Sequence, residues 1–377
     1  MSTLEEKKAA VAEAMKKIRS KAEKLGSDFR AGFGSEMEDS MRIEKIPIGI
    51  PEMDIMLGGG VSRARVTEIF GMYSVGKSTM AMHILEAFHK ELQDDLVAFS
   101  PNEPSYDPEY RRKLGVTMDD RVCLNEADSL EDSLNYCADL ADSKAVSCMV
   151  IDSIVGLGSR SERQTARGAE KDLDNQGIPP TPKTLSKFFR MTIGRIAKAK
   201  MALIVTNQIR TEGIGGTHTW DDVTAGHALK HYKGSSVKLR RIGGKDGPIT
   251  DEDGKYIGFW TMAKLVKDKS GGIEGTEVKI PFIYGKGFKN TMGLISCAVT
   301  QEVVNKGGGG SFKWGDISAK GYWNFERKII EGNLEDKLLK ELYTKVGISF
   351  KQETPDDKRT VTKEDKKPAR KRAKKEK

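Results

Sequence analysis

The chain has 377 residues, of which 37% are apolar, 7% aromatic and 31% charged, enough for about two folded domains. It has no uncharged apolar run near the roughly 18 residues of a membrane-spanning helix, and its charged N-terminus has no apolar signal core. The four cysteines are scattered and lack metal-ligand spacing, and the five histidines form no HExxH pattern, which disfavours a zinc hydrolase. Buried reduced thiols in a cytoplasmic protein are expected.

The formal net charge of +8 is unevenly placed. Residues 351–377 carry 12 Lys/Arg against 6 Asp/Glu, leaving 51 against 49 in the rest of the chain. A basic tail on a nearly neutral body favours polyanions such as nucleic acid.

Residues 4–25 predict an amphipathic helix, with Leu4, Val11, Met15, Ile18, Ala22 and Leu25 on one stripe. Thr3 and Glu6 match a capping box, and Gly26 suits the C-terminal cap. Such a helix could dock on its own core or on a neighbouring subunit. A Gly/Ser-rich linker is expected over 26–40. Strands are predicted at 66–70, 96–100, 146–151, 201–206, 236–241, 258–266 and 278–284, with helices at 77–92, 129–143 and 183–200. Nearly continuous apolar strands joined by helices imply a buried, mostly parallel sheet, hence an α/β fold. The later strands, with short polar connections, suit an antiparallel extension. Helices at 294–305 and 334–346, around a Gly-rich turn and a Trp-bearing segment, mark a small second domain over 290–348. The last 27 residues hold almost no apolar side chains and are expected to be disordered.

Gly71-Met72-Tyr73-Ser74-Val75-Gly76-Lys77-Ser78, followed by Thr79, fits GxxxxGK[ST] between an apolar strand and a helix. Backbone N–H groups at the glycines and the helix N-terminus can cradle phosphates. Lys77 would reach the β- and γ-phosphates of ATP, and Ser78 would ligate Mg²⁺. Asp152 ends an apolar strand and suits a magnesium-holding carboxylate, usually acting through water. Glu103 and Gln208 both follow predicted strand ends, the edge that faces the ligand in open α/β sheets. One could polarise water, the other could contact the γ-phosphate, and each could equally be an ordinary surface group.

At these residues the chain resembles the RecA-type homologous recombinases, collinearly from about Ile43 to Val346. The stretches that carry the resemblance are Phe99-Ser100-Pro101-Asn102-Glu103 through Val116, Val150 to Ser153, and Thr206 to Arg210. Ala225 to Tyr232, Arg240 to Gly243, Lys267-Asp268-Lys269 and Ile283 to Gly287 continue it. The resemblance implies a RecA-like P-loop ATPase core over 42–289. It also implies an N-terminal arm over 1–41 for subunit contact, a small C-terminal α/β domain over 290–348 and a tail over 349–377. Glu103 then corresponds to the water-activating glutamate, Gln208 to the γ-phosphate sensor, Tyr110 to the adenine-stacking aromatic, and Asp107 to a residue near the base. Lys267 and Lys269 correspond to lysines that reach the ATP of the neighbouring subunit.

Two segments match the family's DNA loops. Residues 158–182 carry Arg160, Arg163, Arg167 and Lys171, and residues 209–226 run from Ile209 to Gly226. Both are expected to be long loops without structure. Arg210, Arg240, Arg241 and Lys264 fall on DNA-proximal positions, with Ile214 or Trp220 as a wedge between base triplets. The implied partners are single-stranded and homologous duplex DNA, in a homo-oligomeric helical filament, within a bacterial or phage-infected cell. The chain departs from the family at Pro101, at the loop interior Met72 to Val75, at Pro179-Pro180, at Glu212 and Asp221-Asp222, and in its basic tail. A hexameric helicase motor of the same core and a non-catalytic architectural DNA binder are the competing readings.

Overall fold

The computed structural model describes residues 3–26, 29–103, 107–163, 181–214, 218–223 and 227–349. Arg167, Lys171, Pro179, Pro180, Gly226 and the basic tail lie outside the described residues.

Thr3 caps the first helix, Leu4–Lys24, and Glu6 returns the bond to the Thr3 N–H at 2.8 Å, as the capping box predicts. The helix stops at Leu25, and Gly26 follows at φ +65°. None of its residues is buried. The predicted linker is not structureless, because residues Gly34–Met41 form a second short helix.

Ten strands form the central sheet among the described residues. Val66–Gly71 lies at its middle, parallel to Ala202–Ile214 on one side and to Ser235–Arg241 on the other. Beyond Ala202–Ile214 come Val146–Asp152, Leu96–Pro101 and Val122–Leu124, all parallel. Beyond Ser235–Arg241 the sheet turns antiparallel, with Tyr256–Asp268 pairing Pro248–Thr250 and Glu277–Ile283. The fold is thus α/β with a mostly parallel central sheet, as the sequence implies.

The parallel strands look continuously apolar because both of their faces are covered, and the two-residue period sorts them into two cores. Cys148, Val150, Ala202 and Ile204 meet Ile84 and Phe88 of helix Lys77–Glu91. Met149, Ile151, Leu203 and Val205 meet Leu130 and Leu134 of helix Leu130–Ser143 and Phe189 of helix Thr181–Lys198. Cys137, Cys148 and Cys297 are buried free thiols, whereas Cys123 is only half-buried.

Strand Val122–Leu124 was not expected: three partly exposed residues are too few to show a period. Helix Thr291–Thr300 starts earlier than expected, where the Asn290 side chain accepts the Gly293 N–H at 3.0 Å, and stops short of the predicted end. The largest departure lies in the expected second loop. Strand Ala202–Ile214 runs on past Gln208 and pairs with His218–Val223, from Ile209 opposite Val223 to Ile214 opposite His218. Thr211, Ile214, Thr219, Trp220 and Val223 are strand-favouring residues, and the hairpin satisfies backbone groups that a loop would leave to water. In the expected first loop, Arg160–Arg163 is a short helix.

The C-terminal segment folds around its own apolar cluster. Helices Thr291–Thr300, Tyr322–Glu331 and Glu335–Val346 enclose Phe312, Trp314, Phe325 and Leu342, with a three-stranded sheet at 305–320. It is joined to the sheet domain by helix Pro51–Met56. Asp54 there accepts hydrogen bonds from Ile48 N at 2.8 Å and Gly49 N at 3.0 Å, and a further one from the Tyr343 hydroxyl. Glu52 beside it is buried with neither carboxylate oxygen hydrogen-bonded.

Burial pushes Glu52 up to about 8 and Asp54 up to about 7. Both acids hold their proton in the folded chain at pH values where the unfolded chain has lost it. Stability therefore falls as pH rises from the ordinary carboxylate range to about 8. Glu52→Gln mimics the protonated acid. It should raise the thermal midpoint at pH 8 by several degrees, as displacements of this kind are worth on the order of a few kcal/mol. It should also flatten the decline between pH 5 and 8. Thermal melts across that range check this, and an unchanged slope would refute it.

Candidate active site

The central strand Val66–Gly71 is buried throughout and delivers the chain to a tight loop. A Cβ at Gly71 would lie 2.3 Å from the Leu239 carbonyl oxygen. At Gly76, φ is +93° and a Cβ would lie 2.6 Å from the Phe288 ring. Only glycine fits either position. Ser74 also sits at positive φ, +55°, within the same turn. Helix Lys77–Glu91 starts immediately after Gly76, so its free N–H groups face the loop's concavity.

Lys77 reaches back over the loop and donates to the Met72 carbonyl at 2.8 Å. Burial lowers the ammonium's pKa, opposed by the nearby carboxylates of Glu103 and Asp152. Asp152, at the end of strand Val146–Asp152, is itself buried, and that raises its pKa. Hydrogen bonds from the Thr206 and Ser78 hydroxyls oppose the rise. Thr206 is a partner the sequence reading missed; a hydroxyl inside an apolar strand carries no signal of its own.

The Asp152 carbonyl accepts the backbone N–H groups of Asn102 at 2.7 Å and Glu103 at 3.2 Å. This bond fixes where Glu103 leaves strand Leu96–Pro101. Gln208 donates its side-chain amide to Glu103 Oε1 at 3.0 Å. Buried Asn102, also missed, braces the same corner through the Ser153 carbonyl at 3.1 Å and Ser133 Oγ at 3.3 Å. The ends of three strands, at Gly71, just before Glu103 and at Asp152, thus converge with Gln208, which lies beside Gly71 inside strand Ala202–Ile214.

They open onto a cleft of about 590 Å³ lined by Tyr73, Ser74, Gly76, Lys77, Ser78 and Thr79, with Glu103, Asp152 and Gln208 across from them. Tyr73 at the loop tip is 81% exposed and Met72 is exposed beside it. Val75 is buried beneath the loop. Tyr110, on helix Pro108–Lys113, lines the same cleft and shares a hydrogen bond with Thr79 Oγ1 at 3.1 Å. Asp107 caps that helix by accepting the Glu109 N–H at 2.8 Å. A smaller recess of about 50 Å³ lies between Tyr110, Asp107, Ser78 and Leu114. A phosphate cradle backed by a cation, a hydroxyl–carboxylate pair and an aromatic-edged recess suit a nucleoside triphosphate with a divalent cation.

The other expected residues are spread over the molecule. Lys267 stands opposite Ser236, and Ser236 opposite Glu68, three residues before Gly71. At about 3.3 Å per residue, Lys267 is roughly 10 Å from the phosphate loop along the sheet, and two strands across. Lys269 follows one residue past the end of the strand. Neither lines the cleft.

Arg240, Arg241 and Lys264 do not form one patch. Arg240 and Arg241 are successive residues of strand Ser235–Arg241, so they point to opposite faces. Arg241 lines the cleft, with its guanidinium 4.2 Å from the centre of the Phe259 ring. Arg240 shares its face with Lys238, whose strand partner is Lys264. The carboxylate of Glu277 is held below its usual range by Lys264 first, then by Arg240 and Lys238, and bonds Lys264 at 2.8 Å. Arg160 forms an ion pair with Asp132. Arg163, Arg210, Ile214 and Trp220 are placed by their backbone alone, in the first short helix and in the hairpin. Among the described residues no cluster of metal-binding side chains occurs, and no helix is long and apolar enough to cross a membrane.

The family model of the RecA N-terminal domain matches residues 9–289. Protein RecA of Arthrobacter sp. (strain FB24) is 30% identical over 352 residues, 91% of this chain and 95% of the relative. Protein RecA of Fusobacterium nucleatum is 32% identical over 285 residues, 74% of this chain and 71% of the relative. Protein RecA of Gluconobacter oxydans (strain 621H) is 33% identical over 287 residues, 75% of this chain and 77% of the relative. With a matching family model over most of its length and a phosphate-loop cleft lined by Glu103, Asp152 and Gln208, the chain belongs to the RecA family of DNA-dependent ATPases of homologous recombination and repair.

Proposed function

We propose that this chain assembles as a helical filament on single-stranded DNA and pairs it with homologous duplex, with each ATP held between neighbouring subunits. The observation that carries this reading is the division of the expected catalytic residues. Lys77, Ser78, Glu103, Asp152 and Gln208 share one cleft, while Lys267 and Lys269 lie outside it, two strands across from the phosphate-loop strand and roughly 10 Å or more back along the sheet. The lysines would serve the next subunit's cleft, where a cation stabilises developing phosphate charge.

Within the cleft, the loop N–H groups and Lys77 bind and orient the phosphates. Ser78 and Asp152 would hold magnesium, Asp152 through water. When bound, magnesium neutralises phosphate charge and helps align the leaving group. Glu103 takes the proton of the attacking water, and Gln208, bonded to Glu103, reports the γ-phosphate to the hairpin that begins at the next residue. Tyr110 stacks on the base, with Asp107 near it. The exposed first helix supplies an apolar stripe for subunit contact. The face bearing Lys238, Arg240 and Lys264 suits a second DNA strand.

Negative-stain microscopy with circular single-stranded DNA tests the assembly. Helical filaments should form with a non-hydrolysable ATP analogue and not without nucleotide. Closed rings on the DNA would favour the helicase reading, and bare DNA would refute both.

A further inference from the structure

The strand that leads to the phosphate loop carries one acid in its buried middle. Glu68 is 1% exposed, and an ionised carboxylate there is costly unless fully partnered. Lys233, Ser236 and Asn207 supply the partners. The Lys233 ammonium donates to Glu68 Oε2 and to Ser236 Oγ at 2.9 Å. Ser236 Oγ donates to Oε2 at 2.8 Å, and Asn207 Nδ2 to Oε1 at 2.9 Å. Lys233, Ser236 and Asn207 are all buried.

These partners flank the hairpin segment on both sides. Asn207 precedes it, and its Oδ1 accepts the Gln208 N–H at 2.9 Å. Gln208 in turn holds Glu103 at 3.0 Å. Lys233 follows helix His227–Tyr232, on the far side of the segment, and its N–H bonds the Leu229 carbonyl at 3.1 Å. Gly234 N donates to the Val66 carbonyl at 2.8 Å, which fixes Lys233 against the central strand. One carboxylate therefore holds Asn207, two residues before segment 209–226, and Lys233, which directly follows the helix beyond it. A series of hydrogen bonds runs from Lys233 through Glu68, Asn207 and Gln208 to Glu103.

We infer that the buried Glu68–Lys233 pair is the positioning element that couples DNA at segment 209–226 to the hydrolytic arm Gln208–Glu103. This rests on the reading that the segment contacts DNA. A DNA-driven shift at the segment's exit moves Lys233, and the rigid partnering of Glu68 passes that shift to Asn207 and the Gln208 backbone. Neither residue of the pair lines the cleft, so the pair acts on the ratio of DNA-stimulated to basal turnover and not on nucleotide binding.

The test compares Glu68→Gln, Lys233→Met and the double variant in the full chain. Each is assayed for nucleotide affinity, turnover without DNA, turnover on saturating single strands, and thermal midpoint. Single variants leave one buried charge unpartnered and should melt earlier, whereas the double variant removes both charges and should recover much of that loss. All three should bind nucleotide as the wild type does, within about threefold, and lose about tenfold or more of the DNA stimulation, within the usual span of coupling between sites. A double variant with the wild-type melt and undiminished stimulation would overturn the inference and leave the pair a purely structural one. A wild-type chain whose ATPase ignores DNA would instead overturn the assignment of segment 209–226, and the coupling with it.

Discussion

Glu103→Gln should lower DNA-stimulated kcat by about a hundred- to ten-thousand-fold, the span expected for removal of a positioned general base. The substitution keeps side-chain size and hydrogen-bonding capacity. Its backbone anchor, the Glu103 N–H on the Asp152 carbonyl, does not involve the side chain. The glutamine can still accept from Gln208, which reaches Glu103 Oε1 at 3.0 Å in the native chain. Lys77 loses one of the two carboxylates that support its charge but keeps Asp152, so phosphate binding survives. The expected variant binds ATP and DNA and holds long-lived filaments that do not turn over. Steady-state hydrolysis on saturating single strands, with nucleotide affinity measured in parallel, checks it. Unchanged turnover would remove Glu103 from the chemistry, and lost affinity would make it a binding residue.

How much of this was legible in the sequence follows from the range of each constraint. The phosphate loop is a local device, so two glycines, a lysine and a serine at fixed spacing between strand and helix identify it. Asp152, Glu103 and Gln208 were reachable as strand-end residues because open α/β sheets carry their ligands there. The hairpin at Ala202–Ile214 and His218–Val223 was not, since its glycines outweighed its strand-favouring Thr, Ile and Trp residues. Arg240 and Arg241 are adjacent in sequence and share an expected role, yet the strand's own two-residue period sends them to opposite faces.

The buried polar groups were least legible. Glu68 and Glu52 each sit in an apolar run where a carboxylate reads as an exposed edge. Partners from distant parts of the chain explain Glu68, whereas burial without hydrogen-bond partners marks Glu52. Likewise, nothing in the spacing of Asn102 or Thr206 shows that they brace the catalytic corner. Such contacts depend on which strands lie side by side, and strand order is a property of the assembled sheet.

Lys267→Ala should abolish most ATP hydrolysis while leaving every contact within its own subunit's cleft intact. Loss of a cation that acts across a subunit boundary on phosphate charge costs about a thousandfold or more. Lys267 lies on strand Tyr256–Asp268, opposite Ser236 and away from the loop at Gly71. Burial lowers its pKa, as do Lys269 and Lys233 nearby, against the opposing pull of Glu274 and Glu68. A cation so placed is eased when it meets an anion, and in a filament the neighbouring subunit's triphosphate would be that anion. Lys269→Ala should act in the same direction.

The most direct measurement mixes two inactive proteins, Lys267→Ala and Lys77→Ala, on single-stranded DNA. Where a Lys267→Ala subunit offers its intact phosphate loop to a Lys77→Ala neighbour's intact lysine, one good composite site forms. Random co-assembly in equal amounts makes about a quarter of the sites good, so roughly that fraction of the wild-type rate should return. No recovery, with co-assembly shown independently by pull-down of a tagged subunit, would place the whole catalytic site within one subunit and contradict the account.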